Sequence, residues 1–170
     1  MNYGEAYFWT DTIKVWKHLL KKDKYKELIL SSWKELIRRQ QVIIYAFVIM
    51  PNHLHVIWEM KEPNGKEMAH ASFNKFTSHM ILKDLRINHP NILYYFQVEE
   101  TERSYRFWQR DPLAVLMDSK VKMEQKISRV GSAIFITILC KSDETWPPVP
   151  RIIVGHPQNF KNLAKMNLRF

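Results

Sequence analysis

Ala-Phe-Val-Ile-Met-Pro-Asn-His-Leu-His-Val-Ile-Trp, residues 46–58, places His53 and His55 one residue apart in an otherwise apolar run. Apolar β-branched and aromatic residues predict a strand, and the side chains of a strand alternate between its two faces. Both imidazoles should therefore share one face, with Leu54 and Val56 packed on the other. Two neutral imidazoles on one face can hold a divalent cation. An isolated His-x-His pair is more often structural, so the rest of the chain has to decide.

The hydrophobic pattern of the chain predicts strands and helices that alternate in a recognisable order. Strands are expected at 6–13, 41–50, 53–60 and 106–109, and helices at 24–40, 66–87 and 119–130. The second helix should point Ala69, Phe73, Phe76, Met80 and Ile87 inward. The order β-α-β-β-α-β-α predicts the α+β class, as a ferredoxin-like antiparallel sheet with helices packed on it.

Composition narrows the classes of function. With 170 residues, 46% of them hydrophobic, the chain is long enough to bury a core. A formal net charge of +9 favours a polyanionic partner such as nucleic acid. The four glycines form no phosphate-binding loop, and the single Cys140 excludes an internal disulfide and a thiolate zinc cluster. The sequence shows no signal peptide or membrane-spanning stretch, so we expect a cytoplasmic protein with no membrane partner.

Three sequence blocks together are far more specific than the histidine pair. They are Tyr-Ala-Phe-Val-Ile-Met-Pro-Asn-His-Leu-His-Val-Ile-Trp at 45–58, Ala-Ser-Phe-Asn-Lys-Phe-Thr-Ser-His at 71–79, and Arg-Phe-Trp-Gln-Arg-Asp-Pro-Leu-Ala-Val at 106–115. In this order they resemble the IS200-like and REP-associated tyrosine transposases, which belong to the HUH single-strand DNA endonucleases. The resemblance covers residues 1–127, which we interpret as a transposase IS200-like domain.

The resemblance implies a site and a reaction. In that family two histidines and a third polar ligand hold Mg²⁺ or Mn²⁺ against the scissile phosphate, so His53 and His55 are the implied metal ligands. A tyrosine on a late helix attacks the phosphate and forms a 5′-phosphotyrosine, which makes strand transfer independent of ATP. The implied partners are single-stranded or hairpin DNA and a second copy of the chain in a homodimer. Candidate DNA contacts in or beside the matching blocks are Asn52, Lys75, Arg106, Trp108, Gln109 and Arg110, with Trp108 expected to stack on an unpaired base.

Residues 128–170 depart from the family pattern. Related chains continue with a helix that carries Tyr-Ile-His-x-Asn-Pro, which supplies the nucleophile and, one turn later, a polar residue suited to be the third ligand. This chain has Gly-Ser-Ala-Ile-Phe-Ile-Thr-Ile-Leu at 131–139, so the tyrosine expected near Ala133 and Ile134 is absent. No tyrosine follows Tyr105. The catalytic residue is therefore unknown from the sequence.

The genetic code offers an explanation for this departure. The residues from Ala133 to Leu139 can be encoded by GCT-ATA-TTC-ATC-ACA-ATC-CTN. Reading from the last base of the alanine codon gives TAT-ATT-CAT-CAC-AAT-CCT, which encodes Tyr-Ile-His-His-Asn-Pro. In the same shifted register, the stretch from Ile152 to Pro157 can encode Asp-Tyr-Arg-Trp-Ser-Ser, another expected family segment. We therefore hypothesise that residues from about Ser128 onward are the product of a frameshift; the alternative is a divergent, selected C-terminal segment.

Three functions remain open at this point. The first is a DNA transposase that cleaves and transfers strands, and the second is an inactive descendant that retains only DNA and metal binding. The third is an RNA-binding module built on the same kind of sheet, with structural histidines. RNA modules of that kind carry a Gly-aromatic signature on the open sheet face, which this sequence lacks.

The coding DNA tests the frameshift hypothesis directly. We expect the alternative frame to contain Tyr-Ile-His-His-Asn-Pro opposite residues 133–139 and Asp-Tyr-Arg-Trp-Ser-Ser opposite residues 152–157. Sequencing the gene is the measurement. A gene in which neither segment appears in any frame would reject the hypothesis.

Overall fold

The computed structural model describes residues 1–63, 65–101, 103–123 and 125–126. The predictions for residues 128–170, including the missing tyrosine near Ala133 and Ile134 and the proposed change of frame, lie outside these residues. So does the last part of the helix expected at 119–130. Residues 120–123, 125 and 126 are helical, as expected for its beginning.

A four-stranded antiparallel sheet forms the centre of the fold. Its strands are β1 (Ala6–Thr12), β2 (Val42–Ile49), β3 (His53–Met60) and β6 (Leu113–Leu116), in the order β2-β3-β1-β6. A separate hairpin pairs β4 (Gln97–Glu100) with β5 (Arg103–Tyr105). Helix α1 (Asp23–Arg38) connects β1 to β2, and α2 (Ala69–Asn88) follows β3. The short α3 (Pro90–Leu93) comes next. This topology confirms the predicted α+β class with a ferredoxin-like sheet.

One face of the sheet is covered by α1 and α2. Helix α1 buries Tyr25, Ile29, Trp33 and Leu36, which recur at helical spacing. The Trp33 ring lies 5.1 Å from Phe47 on the sheet and 5.7 Å from Phe73 on α2. Aromatic contacts at these distances bury large apolar areas, so Trp33 joins both helices to the sheet.

The inward face of α2 differs from the predicted one. Its buried residues are Ala69, Phe73, Thr77, Ile81 and Leu85, spaced four apart. Phe76 is 47% exposed and Ile87 is 72% exposed, so their predicted burial is wrong. The buried face of α2 includes a polar residue, Thr77, which a prediction based on hydrophobicity alone would leave out. Thr77 tolerates burial because its hydroxyl donates to the Phe73 carbonyl at 2.8 Å and accepts from the Trp108 indole at 3.0 Å.

The last strand of the sheet also lies elsewhere than predicted. Residues 106–109 contribute only an isolated bridge between Trp108 and Ile13, and the fourth strand is β6. Asp111 has a φ of 56°, in the left-handed region, and Pro112 follows it. This bend interrupts the pairing with β1 before β6 resumes it at Leu113.

The turn that precedes the histidines is held at several points. Met50 N–H donates to the His53 carbonyl at 2.8 Å and closes the turn between β2 and β3. The carbonyl of Asn52 accepts from the N–H of Ile13 at 2.8 Å, and that of Pro51 accepts from Leu20 at 2.9 Å. Because the segment after β1 anchors this turn, the start of β3 has a fixed position. Among the described helices, none is long and apolar enough to cross a membrane.

Asp11 gives the fold a specific pH dependence. Its carboxyl is fully buried, and burial raises its pKa to about 7 despite hydrogen bonds from the Asn74 amide at 2.7 Å and the Thr12 N–H at 3.1 Å. The folded pKa exceeds the unfolded value of 3.8, so this group's contribution to stability is lost as pH rises from 4 through 7. The upper limit of that loss is about 4 kcal/mol.

We expect Asp11→Asn to remove this part of the pH dependence, because an amide stays neutral over the whole interval. Urea unfolding at pH 4.5 and pH 7.5 should give a smaller decrease in unfolding free energy for the variant than for the parent chain. The exposed Asp118→Asn serves as the matched control and should keep the parent's dependence over this range. An Asp11→Asn variant that loses as much stability as the parent would contradict the assignment.

Candidate functional site

The face of the sheet opposite α1 and α2 carries both histidines. The β1–β3 register pairs Thr10 with His55 and Thr12 with His53. Residues directly opposite each other on antiparallel strands point to the same face, so these four side chains form one polar patch. Leu54 and Val56 are buried on the helix-covered face, as the sequence predicted.

The two imidazoles lie together, and each is oriented by a neighbour. Their ring centroids are 4.8 Å apart with an interplanar angle of 71°. Nδ1 of His53 lies 2.8 Å from Oδ1 of Asn52, an atom that only accepts. Nδ1 of His55 lies 2.7 Å from the hydroxyl of Thr10, which can accept a hydrogen bond from it. With both Nδ1 atoms engaged in this way, both Nε2 lone pairs are available to a ligand.

Burial keeps both rings neutral near pH 7. It lowers the pKa of His55 to about 4, with smaller contributions from His53 and Lys126. Burial also lowers the pKa of His53. A metal ligand must be unprotonated, so these shifts leave the pair ready to bind a cation without first losing a proton.

The donor atoms of the pair fit a divalent cation that gains further oxygen ligands. Among the described residues, no group of three or more His, Cys, Asp or Glu side chains could hold a metal ion. Imidazole nitrogen suits transition metals, whereas Mg²⁺ prefers oxygen, so the pair favours Mn²⁺ over Mg²⁺. Water or a phosphate would have to complete the coordination.

Aromatic and basic side chains surround the pair. The Phe8 ring stacks on His55 at 5.2 Å, and the Trp16 ring meets His53 edge-on at 6.3 Å. The ammonium group of Lys126 lies 4.7 Å from the centre of the Phe8 ring. Within the part of the chain that the structure describes, no tyrosine ring contacts either histidine.

Tyr45 lies on the same face of the sheet as the two histidines, but its hydroxyl is bonded to Glu59. It is 3% exposed, and its hydroxyl donates to the carboxylate of Glu59 at 2.5 Å. Burial and the neighbouring Glu59 raise the pKa of Tyr45. A buried phenol with a raised pKa is a poor nucleophile, so Tyr45 does not replace the missing tyrosine.

Two of the predicted DNA contacts, Arg106 and Arg110, converge on one carboxylate. Glu100 lies 2.5 Å from Arg106 and 3.2 Å from Arg110, and Arg103 is 3.6 Å away. Three guanidinium groups thus share one negative charge. The side chain of Arg106 is 16% exposed, whereas that of Arg110 is 65% exposed, so Arg110 is the more accessible to a phosphate.

The structure places three other predicted contacts at different distances from the histidines. Asn52 bonds to His53 directly, which makes it a residue that orients the ring. Gln109 donates its N–H to the Thr12 carbonyl at 2.7 Å, and this brings it beside the polar patch. Lys75 lies on α2, on the helix-covered side, and pairs with Glu67 at 2.8 Å.

The expected stacking role of Trp108 is wrong for this structure. Its side chain is 4% exposed, packs 6.0 Å from Phe73 and donates its indole N–H to Thr77. A base cannot stack on a ring whose faces are covered by the core. A backbone bridge joins Trp108 to Ile13 at the end of β1, and the Trp108 ring packs in the core on the side of α2.

Sequence reasoning missed Thr10 and Trp16. Thr10 could have been found from strand pairing, because alternation on β1 places it with Phe8 and Thr12. Trp16 could not, since it follows the strand in a turn whose conformation depends on tertiary contacts. Both lie against the histidines in the structure.

Comparison with solved structures identifies the fold. Seven chains match, and one of them is a REP-associated tyrosine transposase bound to a REP hairpin. The match has a TM-score of 0.53 and 14% sequence identity, and it covers 76% of this chain and 66% of that one. The chain shares its fold with this transposase. No protein-family model and no curated protein matches.

Substitutions of the pair should weaken cation binding. We expect His53→Ala and His55→Ala to lose most Mn²⁺ binding, since each removes a nitrogen ligand. Thr10→Val should weaken binding by about 10- to 100-fold, because it removes the hydrogen bond that orients His55. Titration calorimetry with Mn²⁺ measures each affinity.

His79→Ala is the matched control, because His79 is an exposed histidine on α2. It should bind Mn²⁺ as the parent chain does. If His53→Ala and His55→Ala also bind like the parent, the metal assignment fails.

Proposed function

We propose that this chain is a transposase-like protein that binds single-stranded or hairpin DNA. The observation that carries the proposal is the position of the neutral, oriented histidine pair on the face of a ferredoxin-like sheet opposite α1 and α2. A transposase of the same fold is bound to a REP hairpin. The net charge of +9 supports a DNA partner, because lysine and arginine displace counterions from phosphates.

His53 and His55 would hold Mn²⁺ or Mg²⁺ in this function. Such a cation polarises a phosphoryl oxygen and stabilises the charge that develops in the transition state. Other residues of the chain would orient the imidazoles and bind the DNA backbone. Asn52 and Thr10 would orient the imidazoles, while Arg110 and Lys126 would supply positive charge to the DNA backbone.

The full family reaction also needs a tyrosine nucleophile and acts through a homodimer. We propose a homodimer on the resemblance alone. The nucleophile is a separate question, because Tyr45 is engaged with Glu59 and the segment expected to carry the family tyrosine contains none. This favours the inactive alternative, a degenerate transposase that retains DNA and metal binding without cleavage.

Binding to a fluorescently labelled DNA hairpin with an unpaired 5′ flank tests the proposal. We expect the chain to bind it, with an affinity that falls steeply as salt increases because phosphate contacts release counterions. Fluorescence anisotropy over a salt series is the measurement. A chain that binds no such hairpin even at low salt would contradict the proposed function.

The same hairpin with Mn²⁺ separates strand transfer from the inactive alternative. A covalent protein–DNA adduct on a denaturing gel identifies strand transfer, whereas binding without an adduct identifies the inactive form. A chain rebuilt in the alternative frame from residue 128 is the matched control. On the frameshift hypothesis that rebuilt chain should form the adduct, and its His53→Ala variant should not.

A further inference from the structure

A groove lies between the turn after β1 and the turn before β4. Its volume is about 750 Å³, and its lining includes Lys14, Lys17, Tyr94, Tyr95, Gln97 and Tyr105. One wall comes from the short turn Lys14–Trp16, and the other includes the turn Tyr94–Phe96. These residues lie outside the histidine site, and the sequence blocks above do not include them.

Large aromatic side chains are displayed to solvent along this groove. Tyr94 is 75% exposed and Tyr95 is 46% exposed, with their rings 5.9 Å apart. Trp16, at the end of the same wall, is 60% exposed. Clustered exposed aromatics commonly mark a binding surface, because water solvates them poorly.

The backbone holds Trp16 outward at a conformational cost. Val15 and Trp16 have φ values of 51° and 55°, in the left-handed region that β-branched and bulky residues avoid. Strain of this kind costs of the order of 1 kcal/mol or more per residue, and it commonly occurs at functional sites. The turn is fixed by Lys14 N–H bonded to the Phe107 carbonyl at 2.7 Å and Trp16 N–H bonded to Ile13 at 3.0 Å.

The lysines of the groove keep their positive charge available. Lys17 lies 3.3 Å from the centre of the Tyr95 ring, and Lys14 donates to the Gln97 carbonyl at 2.5 Å. Both partners are neutral, unlike the carboxylates that pair with Lys24, Lys61 and Lys75. Glu99 is the acidic residue in the lining, so the two lysines leave a positive excess.

Trp16 connects the groove to the histidines. Its ring lies 6.3 Å from His53, and its neighbour Val15 lines the groove. A chain of nucleotides lying in the groove would therefore pass Trp16 and reach the histidine pair. Stacking surfaces combined with a basic path are the features that bind unpaired bases, whereas the bases of a duplex are already stacked on each other.

We propose that this groove binds the unpaired nucleotides of a DNA strand, stacking bases on Tyr94 and Trp16 and holding phosphates with Lys14 and Lys17. The inference rests on the proposed function and deepens it, since it names the part of the DNA that this groove would bind. It also gives the strand a path, from the groove past Trp16 to His53.

Three DNA probes and matched variants test the groove. The probes are fluorescein-labelled oligothymidine, a blunt hairpin and a hairpin with an unpaired flank. Tyr94→Ala and Trp16→Ala should each weaken oligothymidine and flanked-hairpin binding by about tenfold, since each removes one stacking surface. Lys17→Gln should weaken both and reduce the salt slope by about one. Blunt-hairpin affinity should change little in all three variants.

Phe76→Ala and Lys83→Gln are the controls, since both residues are exposed on α2 and lie on the helix-covered side. They should bind all three probes like the parent chain. If the groove variants bind oligothymidine as tightly as the parent does, the groove inference is overturned while the proposed function stands. If the parent chain binds none of the probes, the groove inference and the proposed function are both rejected. If the groove substitutions weaken binding of the blunt hairpin as much as binding of the other two probes, the inference is also overturned, because the groove would then contact duplex DNA.

Discussion

The antiparallel pairing of β1 with β3 is the constraint on which the candidate site depends. Its register sets Thr10 opposite His55 and Thr12 opposite His53. A shift by one residue would turn both histidines toward the core, because strand side chains alternate between faces. The hydrogen bond from Ile13 to the Asn52 carbonyl fixes the end of this pairing, where β3 begins.

The two faces of the sheet have different roles as a result. The helix-covered face supplies cohesion, through Trp33, Phe73 and the buried Thr77–Trp108 hydrogen bond. The other face is left open near its histidine end, where two half-buried imidazoles lie between Phe8 and Trp16. Burial there is sufficient to keep both rings neutral near pH 7.

The basic side chains of this protein differ in whether their partners are charged or neutral. Several lysines and arginines are paired with carboxylates, most clearly the three arginines that share Glu100. Lys14 and Lys17 instead meet a carbonyl and an aromatic ring. Because neutral partners leave their charge uncompensated, these two lysines mark the basic path that leads toward the histidines.

The sequence by itself determined the α+β class, the bounds of β3 and the shared face of His53 and His55, because strand periodicity is a local property. Tertiary structure alone decided three things. It buried Trp108 through its contacts with Thr77 and Ile13, and it moved the inward stripe of α2 away from Phe76. It also placed Trp16 against His53 through a left-handed turn. Each depends on residues far apart in the chain, whose contacts local propensity does not encode.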